Sequence, residues 1–340
     1  MRSPVFILGS PRSGTSALAA VMGGIGYHGF LEGNFLSLLH YNDAAVDQYY
    51  SLFPAPDERW MLRHIDKRDL KSRLFETYRT IVNDLNPNEP WFDKTVDSVM
   101  IEAVPIIREL WPGSVFVFAK RRGIENLISR VKKFPGESFE NQCLGWAGSM
   151  GTWRRIRQQL PPGCFIEVEQ RDMIQQSRRT AQSLCAFLQV DESAARHAYN
   201  VMRNTRPQES AEGSASKTFS LAESGWTVEQ TETFLKHCET EMKEFGYTMD
   251  ERYRLFPDSS IKNEKMYEDI GKEGNSKEKA ARISNAGAAR GTKSVGRKGG
   301  KAGSYDDWSV SDLKKRAKEL GVTGYSKLTK DKLIAELRNH

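Results

Sequence analysis

From the N-terminus to about Met249, short apolar runs alternate with longer stretches in which apolar residues recur at helical spacing. Pro4–Leu8, Ser114–Ala119 and Cys164–Glu169 are short, continuous and apolar, the pattern of parallel strands covered on both faces. Leu18, Val21, Met22 and Ile25 follow the first run at i, i+3, i+4 and i+7. This spacing predicts an amphipathic helix packed on the sheet and ending in the glycines at Gly23, Gly24 and Gly26. Ile124, Leu127, Ile128 and Val131 repeat the spacing after the second run. The alternation predicts an α/β fold, three-layer α/β/α with a mainly parallel sheet.

The pattern changes near Pro257. From Gly271 to Ser304 the chain consists mainly of Gly, Ala, Ser, Lys and Arg with almost no large apolar residue. Such a composition cannot bury enough surface to offset its ordering entropy, and a flexible basic linker is expected. Periodicity returns at the end. Ser309 and Asp312 resemble a capping box with a short acidic member, and Val310, Leu313, Ala317 and Leu320 form an apolar stripe. A glycine-containing turn leads to a second short helix carrying Leu333, Ile334 and Leu337. The expected organisation is a domain over 1–256, a linker over 257–304 and a two-helix module over 305–340.

Charge sharpens this division. The chain of 340 residues carries a net +6. Lys272 to Ser304 holds nine basic and two acidic residues, so this segment alone accounts for +7. The remainder is close to neutral and does not form a globally basic surface. Cys143, Cys164, Cys185 and Cys238 are widely spaced with no C-x-x-C pair, which reads as reduced, buried thiols. A core strand beginning at Val5 leaves no room for a signal peptide, and no apolar run is long enough to span a bilayer. A cytoplasmic protein is expected.

The first strand runs into "GSPRSGTS", Gly9 to Ser16, and then into a helix. A nucleoside-triphosphate loop reads G-x-x-x-x-G-K-[ST]; here Gly9, Gly14 and Ser16 fit, but Thr15 stands in the lysine position and Arg12 is the loop's cation. A helix N-terminus behind small residues presents free N–H groups and partial positive charge, so an anion is expected there. The hydroxyls of Ser13, Thr15 and Ser16 add donors.

The second strand ends in Lys120, Arg121 and Arg122, where a metal-dependent kinase would place an aspartate for Mg²⁺. A basic strand end repels a metal and attracts a second anion. Ser129, eight residues after Arg121, lies opposite the Ile124/Leu127/Ile128 stripe and near Lys132 and Lys133. Arg121 and Ser129 can therefore grip a phosphate separate from the one in the loop, as a nucleotide phosphorylated at both ends of its ribose would require. Arg122 reads as a surface charge, and Trp146 and Trp153 as core.

With these residues in place the chain resembles sulfotransferases that use 3′-phosphoadenosine 5′-phosphosulfate. That family's 5′-phosphosulfate loop, P-[KR]-S-G-T-[ST], is matched by Pro11, Arg12, Ser13, Gly14, Thr15 and Ser16, and its 3′-phosphate arginine and serine by Arg121 and Ser129. Gly123 departs from the proline of many members. "WFDKT" at Trp91–Thr95, "EVEQRDM" at Glu167–Met173 and "FLKHCETEMKEFGY" are similar to further family segments, so that the resemblance spans roughly residues 1–250. It implies a P-loop-like fold and transfer of a sulfuryl group without a metal to a hydroxyl or amine of a carbohydrate, lipid or peptide.

Arg12 then stabilises the leaving oxygen as a fixed charge, since arginine does not readily donate a proton. The general base implied by relatives is Glu32, with Asp93 second and His28 behind it. Lys94 contacts the donor or takes part in catalysis.

The last 36 residues resemble the small helical N-terminal module of the transcription terminator Rho, related to SAP-type modules. With the basic linker this implies contact with nucleic acid or another polyanion, weakened by salt, or a docking role. The module itself, with eight basic and six acidic residues, is no basic patch. Two rival readings remain: a small-molecule kinase, and a nucleic-acid-binding protein with an inactive α/β scaffold.

Overall fold

The computed structural model describes residues 3–86, 90–204, 218–255, 309–319 and 328–339. The chain divides into two units, Met1–Leu255 and Phe256–His340.

The first unit is built on five parallel strands: β1 (Val5–Gly9), β2 (His28–Phe30), β3 (Trp91–Lys94), β4 (Val115–Lys120) and β5 (Phe165–Glu169), in the order β2-β3-β1-β4-β5. Three strands fall within a residue of the apolar runs that predicted them. β3 lies inside "WFDKT", and β2 has no apolar signature because its three residues are exposed on the edge of the sheet.

Alternation along the strands separates two hydrophobic layers. Phe6, Leu8, Phe116 and Phe118 face one cluster, packed under α4 (Ser98–Glu102), α5 (Val104–Leu110), α7 (Phe139–Arg157) and α11 (Val228–Glu244). Val5, Ile7, Val117 and Ala119 face the other, with α1 (Thr15–Gly24), α9 (Ser177–Phe187) and α10 (Glu192–Asn204). This is the expected three-layer α/β/α fold. Trp146 and Trp153 are fully buried. Trp153 stacks on Phe118 at 4.6 Å and donates its indole N–H to Glu167 at 2.8 Å. All four cysteines are buried free thiols.

Between β2 and β3 the chain forms α2 (Ser37–Leu52) and α3 (Lys67–Leu85); α6 (Gly123–Lys133) follows β4, and α8 (Gln170–Gln175) follows β5. On α6 Ile124 and Leu127 are buried as expected, but Val131 is exposed. Strand order reverses at β1, whose neighbours are β3 and β4, so the loop after it opens at the switch point where open α/β sheets bind ligands.

In the second unit, α12 (Val310–Glu319) and α13 (Lys330–Asn339) share a small core of Leu313, Ala317, Leu333, Ile334 and Leu337. Val310 is exposed, and Leu320 falls outside the described residues. The Asp312 N–H donates to Ser309 Oγ at 3.2 Å. The Asp312 carboxylate accepts the Ser309 hydroxyl at 2.6 Å, so the short acid meets the capping side chain. The segment read as a linker, 257–304, lies outside the described residues. No helix among the described residues is long and apolar enough to cross a membrane.

Candidate functional site

The loop after β1 is shaped by residues that tolerate left-handed backbone. Gly9 has φ 147°, and a Cβ there would stand 2.4 Å from the Ala119 carbonyl oxygen. Gly14 (φ 90°) turns the chain into α1, and Arg12 itself sits at φ 70°, a conformation that costs a residue with a Cβ about 1–2 kcal/mol. Such strain persists where surrounding contacts over-determine it. Here those contacts come from α6: Asn126 Nδ2 donates to the Pro11 carbonyl at 3.0 Å and to Ser13 Oγ at 3.1 Å, and Arg130 Nη1 to Ser10 Oγ at 3.2 Å. Ser13 and Thr15 are buried, and Ser16 is half-buried on the first turn of α1.

Arg12, Arg121 and Ser129 meet at this loop. Arg12 Nε donates to Ser129 Oγ at 2.9 Å, and Arg121 Nη1 donates to the Arg12 carbonyl at 3.1 Å. The pairing of Gly9 with Ala119 explains the meeting, because it sets the C-terminal ends of β1 and β4 side by side. Burial, then the charge of Arg121, lowers the pKa of Arg12. Burial also lowers that of Arg121, against the opposing influence of Tyr253, Glu125 and Glu169. Arg121 Nε is buried without a hydrogen-bond partner. Two crowded guanidiniums with an unmet donor are an arrangement that can accept an anion.

The neighbouring cations are otherwise engaged. Lys120 pairs with Glu167 at 2.8 Å; burial would raise that carboxyl, but Lys120 and Arg157 hold it down at about 2. The reading of Arg122 as a surface charge is corrected: it is fully buried. Its guanidinium binds Glu125 through Nε at 2.7 Å and Nη2 at 2.5 Å, and donates to the carbonyls of Thr248, Asp250 and Phe219. It is a clamp that ties the segment around 219–250 to the start of α6. Lys132 and Lys133 are exposed, while the polar face that carries Ser129 is pressed onto the loop. Asn126 and Arg130 were not singled out in the sequence. Their signal was available, since Asn126 lies four residues after Arg122 and three before Ser129, and Arg130 lies four after Asn126.

Gly123 opens α6 in a tight space. A Cβ there would lie 3.2 Å from Phe234 and Trp146 and 3.3 Å from the Met242 sulfur.

On the other side of β1, the end of β3 carries Asp93 and Lys94. Pairing of Phe30 with Asp93 brings the residues after β2 to the same place. Lys94, 3% exposed, donates to Glu32, which is 58% exposed. Asp93 is covered. Thr95 Oγ1 donates to its Oδ1 at 2.8 Å, and a Cβ on Gly33 would fall 1.7 Å from its Oδ2. Burial pushes the Asp93 carboxyl up to about 6, opposed by Thr95 and reinforced by Asp97 and Glu32. His28 is exposed on β2. The loop of Arg12, a second arginine and a carboxylate–lysine pair therefore share the C-terminal edge of three adjacent strands. Such an edge can hold a diphosphorylated nucleotide and, next to it, a group that loses a proton.

Residues 4–194, more than half of the chain, match the model of the family described as "Sulfotransferase family". Residues 257–303 match a family of unknown function. No curated protein matches the sequence significantly. Among solved structures, a sulfotransferase from Mycobacterium avium aligns at 13% identity over 74% of this chain and 79% of its own, with a TM-score of 0.45. The sulfotransferase domain of the curacin biosynthetic pathway aligns at 17% identity over 73% and 99%, with a TM-score of 0.41. A sulfotransferase from Mycobacterium tuberculosis H37Rv aligns at 18% identity over 69% and 77%, with a TM-score of 0.39.

Proposed function

We propose that this chain, which belongs to the sulfotransferase family, moves a sulfuryl group from 3′-phosphoadenosine 5′-phosphosulfate to a hydroxyl or amine of a carbohydrate, lipid or peptide acceptor. The observation that carries the reading is the meeting of Arg12, Ser129 and Arg121, with the buried Arg121 Nε left without a partner. The donor fits this arrangement: the loop Pro11–Ser16 takes its 5′-phosphosulfate, and Arg121 and Ser129 take its 3′-phosphate.

In the step itself the acceptor oxygen bonds to sulfur as the bond from sulfur to the bridging oxygen breaks. Arg12 neutralises the charge that develops on the departing phosphate. The acceptor proton passes to Glu32, whose exposed carboxylate can reach an acceptor, whereas Asp93 lies beneath Gly33 and Thr95. Lys94 holds Glu32 in place, and no metal takes part in the proposed step. The proposed division is a transferase domain over 1–256 and a linker over 257–304, leading to a module similar to that of Rho over 305–340. The module docks the enzyme to a partner, nucleic acid being the polyanionic alternative, and the protein works in the cytoplasm.

Titration calorimetry tests the reading. Adenosine 3′,5′-bisphosphate should bind at least about a hundredfold more tightly than ATP with magnesium. Preference for ATP would overturn the assignment in favour of a kinase.

A further inference from the structure

Large apolar side chains on the surface of the first unit are unevenly placed. Of the sixteen exposed among its described residues, eight fall between Phe30 and Met61: Phe30, Leu31, Leu38, Tyr41, Tyr49, Leu52, Trp60 and Met61. Isolated exposed apolar residues are ordinary, but a contiguous run of them marks a binding surface.

The run is ordered by α2. Leu38, Tyr41, Ala45, Tyr49 and Leu52 recur at steps of three and four, which places them on one face of the helix, and all five are exposed. From Leu38 to Leu52 this stripe runs about 21 Å at 1.5 Å per residue. It continues past the helix, where Tyr49 stacks edge-on against Phe53 at 5.4 Å and Phe53 against Trp60 at 5.5 Å. The opposite side of α2 is occupied: Leu39 is in the core, Ser37 bonds to Asp97, and Tyr50 donates to the Ile65 carbonyl.

Charge narrows what the stripe fits. α2 contains no lysine or arginine. Its two acids, Asp43 and Asp47, are held by Lys71 at 2.6 and 2.8 Å, and Asp47 also by Lys67 at 2.9 Å. The helix is left neutral, with no lysine or arginine of its own to grip a polyanion or an anionic headgroup. A neutral hydrocarbon chain is its complement.

The stripe also starts at the proposed site. Phe30 and Leu31 immediately precede Glu32, and Leu38 follows it by six residues on a helix fixed to the end of β3 through Ser37 and Asp97. We propose that the acceptor is a hydroxylated lipid whose hydroxyl meets Glu32 and whose long chain lies along α2 from Leu38 to Leu52. This rests on the transferase reading above and adds the acceptor class to it.

The test measures binding of butyl, octyl and dodecyl β-glucosides below their micelle-forming concentrations, by calorimetry on the full chain. In parallel, binding of adenosine 3′,5′-bisphosphate is measured and the mass of the protein in solution is determined. Each lengthening of the chain by four carbons should tighten binding about tenfold, as partial burial of the added methylenes implies. In the exposed-site variant Tyr49→Gln/Leu52→Gln the dodecyl and butyl compounds should bind within about threefold of each other, with the bisphosphate affinity unchanged. Bisphosphate binding without chain-length dependence overturns the lipid inference alone. Chain-length dependence without bisphosphate binding overturns the transferase reading and the acceptor role with it. A dimer that Tyr49→Gln/Leu52→Gln splits would show that a second copy covers the stripe, and that also overturns the inference.

Discussion

Replacing Asp93 by asparagine should make the protein more stable at neutral pH and leave its stability at acid pH nearly unchanged. Burial holds the folded carboxyl at about 6 against an ordinary value of 3.8. The native state therefore favours the neutral form. Below the unfolded value both states carry the proton and no cost arises; between about 4 and 6 only the unfolded state ionises, and native stability falls. The difference of 2.2 pH units corresponds to about 3 kcal/mol lost above pH 6. Asparagine is neutral throughout and its Oδ1 still accepts from Thr95, so Asp93→Asn recovers up to that amount. For a unit of this size the gain corresponds to roughly 6–12 °C in melting temperature. Urea unfolding followed by tryptophan fluorescence, at several pH values from about 4 to 8, measures it. A variant less stable than the parent at all pH values would refute the reasoning, because it would show that the native state depends on the Asp93 charge. The same variant separates the two candidate bases: if Glu32 takes the proton, Glu32→Gln loses about a hundredfold or more in turnover and Asp93→Asn much less.

Other consequences follow from the same contacts. Arg122→Met leaves Glu125 buried without its partner and should cost about 3–5 kcal/mol in thermal or urea unfolding, much of it recovered by Arg122→Met/Glu125→Leu; an unchanged melting temperature would contradict the clamp. Ser129→Ala removes the hydrogen bond to Arg12 and should weaken adenosine 3′,5′-bisphosphate by about ten- to a hundredfold with little effect on folding, which calorimetry and a melting curve distinguish. Gly9→Ala forces a Cβ against the Ala119 carbonyl and should yield a protein with a lowered melting temperature and no nucleotide binding. Truncation after Asp258 should leave transfer to a small acceptor largely intact; a large loss would make the second unit part of the active enzyme.

Strands covered on both faces were legible because burial on two sides leaves a continuous apolar run, as in Val5–Gly9 and Val115–Lys120. β2 was not, since three exposed residues on a sheet edge have no apolar run to read. The loop cation and its serine were legible as residues, but their contact across 117 positions was not, because it depends on the pairing of β1 with β4. What a polar face meets was not legible either. A polar helix side looks the same whether it meets water or another polar loop, so Asn126 and Arg130, which hold the loop from the side of α6 that carries Ser129, were not singled out. Arg122 was misread for a related reason: besides Glu125, its partners are three main-chain carbonyls nearly a hundred or more residues away, and a carbonyl leaves no mark in the sequence.

Arg12 and Arg121 are proposed to serve a sulfuryl donor rather than a phosphoryl donor. The most direct measurement offers the full chain ³⁵S-labelled 3′-phosphoadenosine 5′-phosphosulfate with a metal chelator, and separately γ-³²P-labelled ATP with magnesium, each with a panel of hydroxylated glycans, lipids and peptides. ³⁵S should pass to an acceptor, and Arg12→Met and Arg121→Met should abolish the transfer. Passage of ³²P instead of ³⁵S, or ³⁵S transfer that survives both substitutions, would contradict that role.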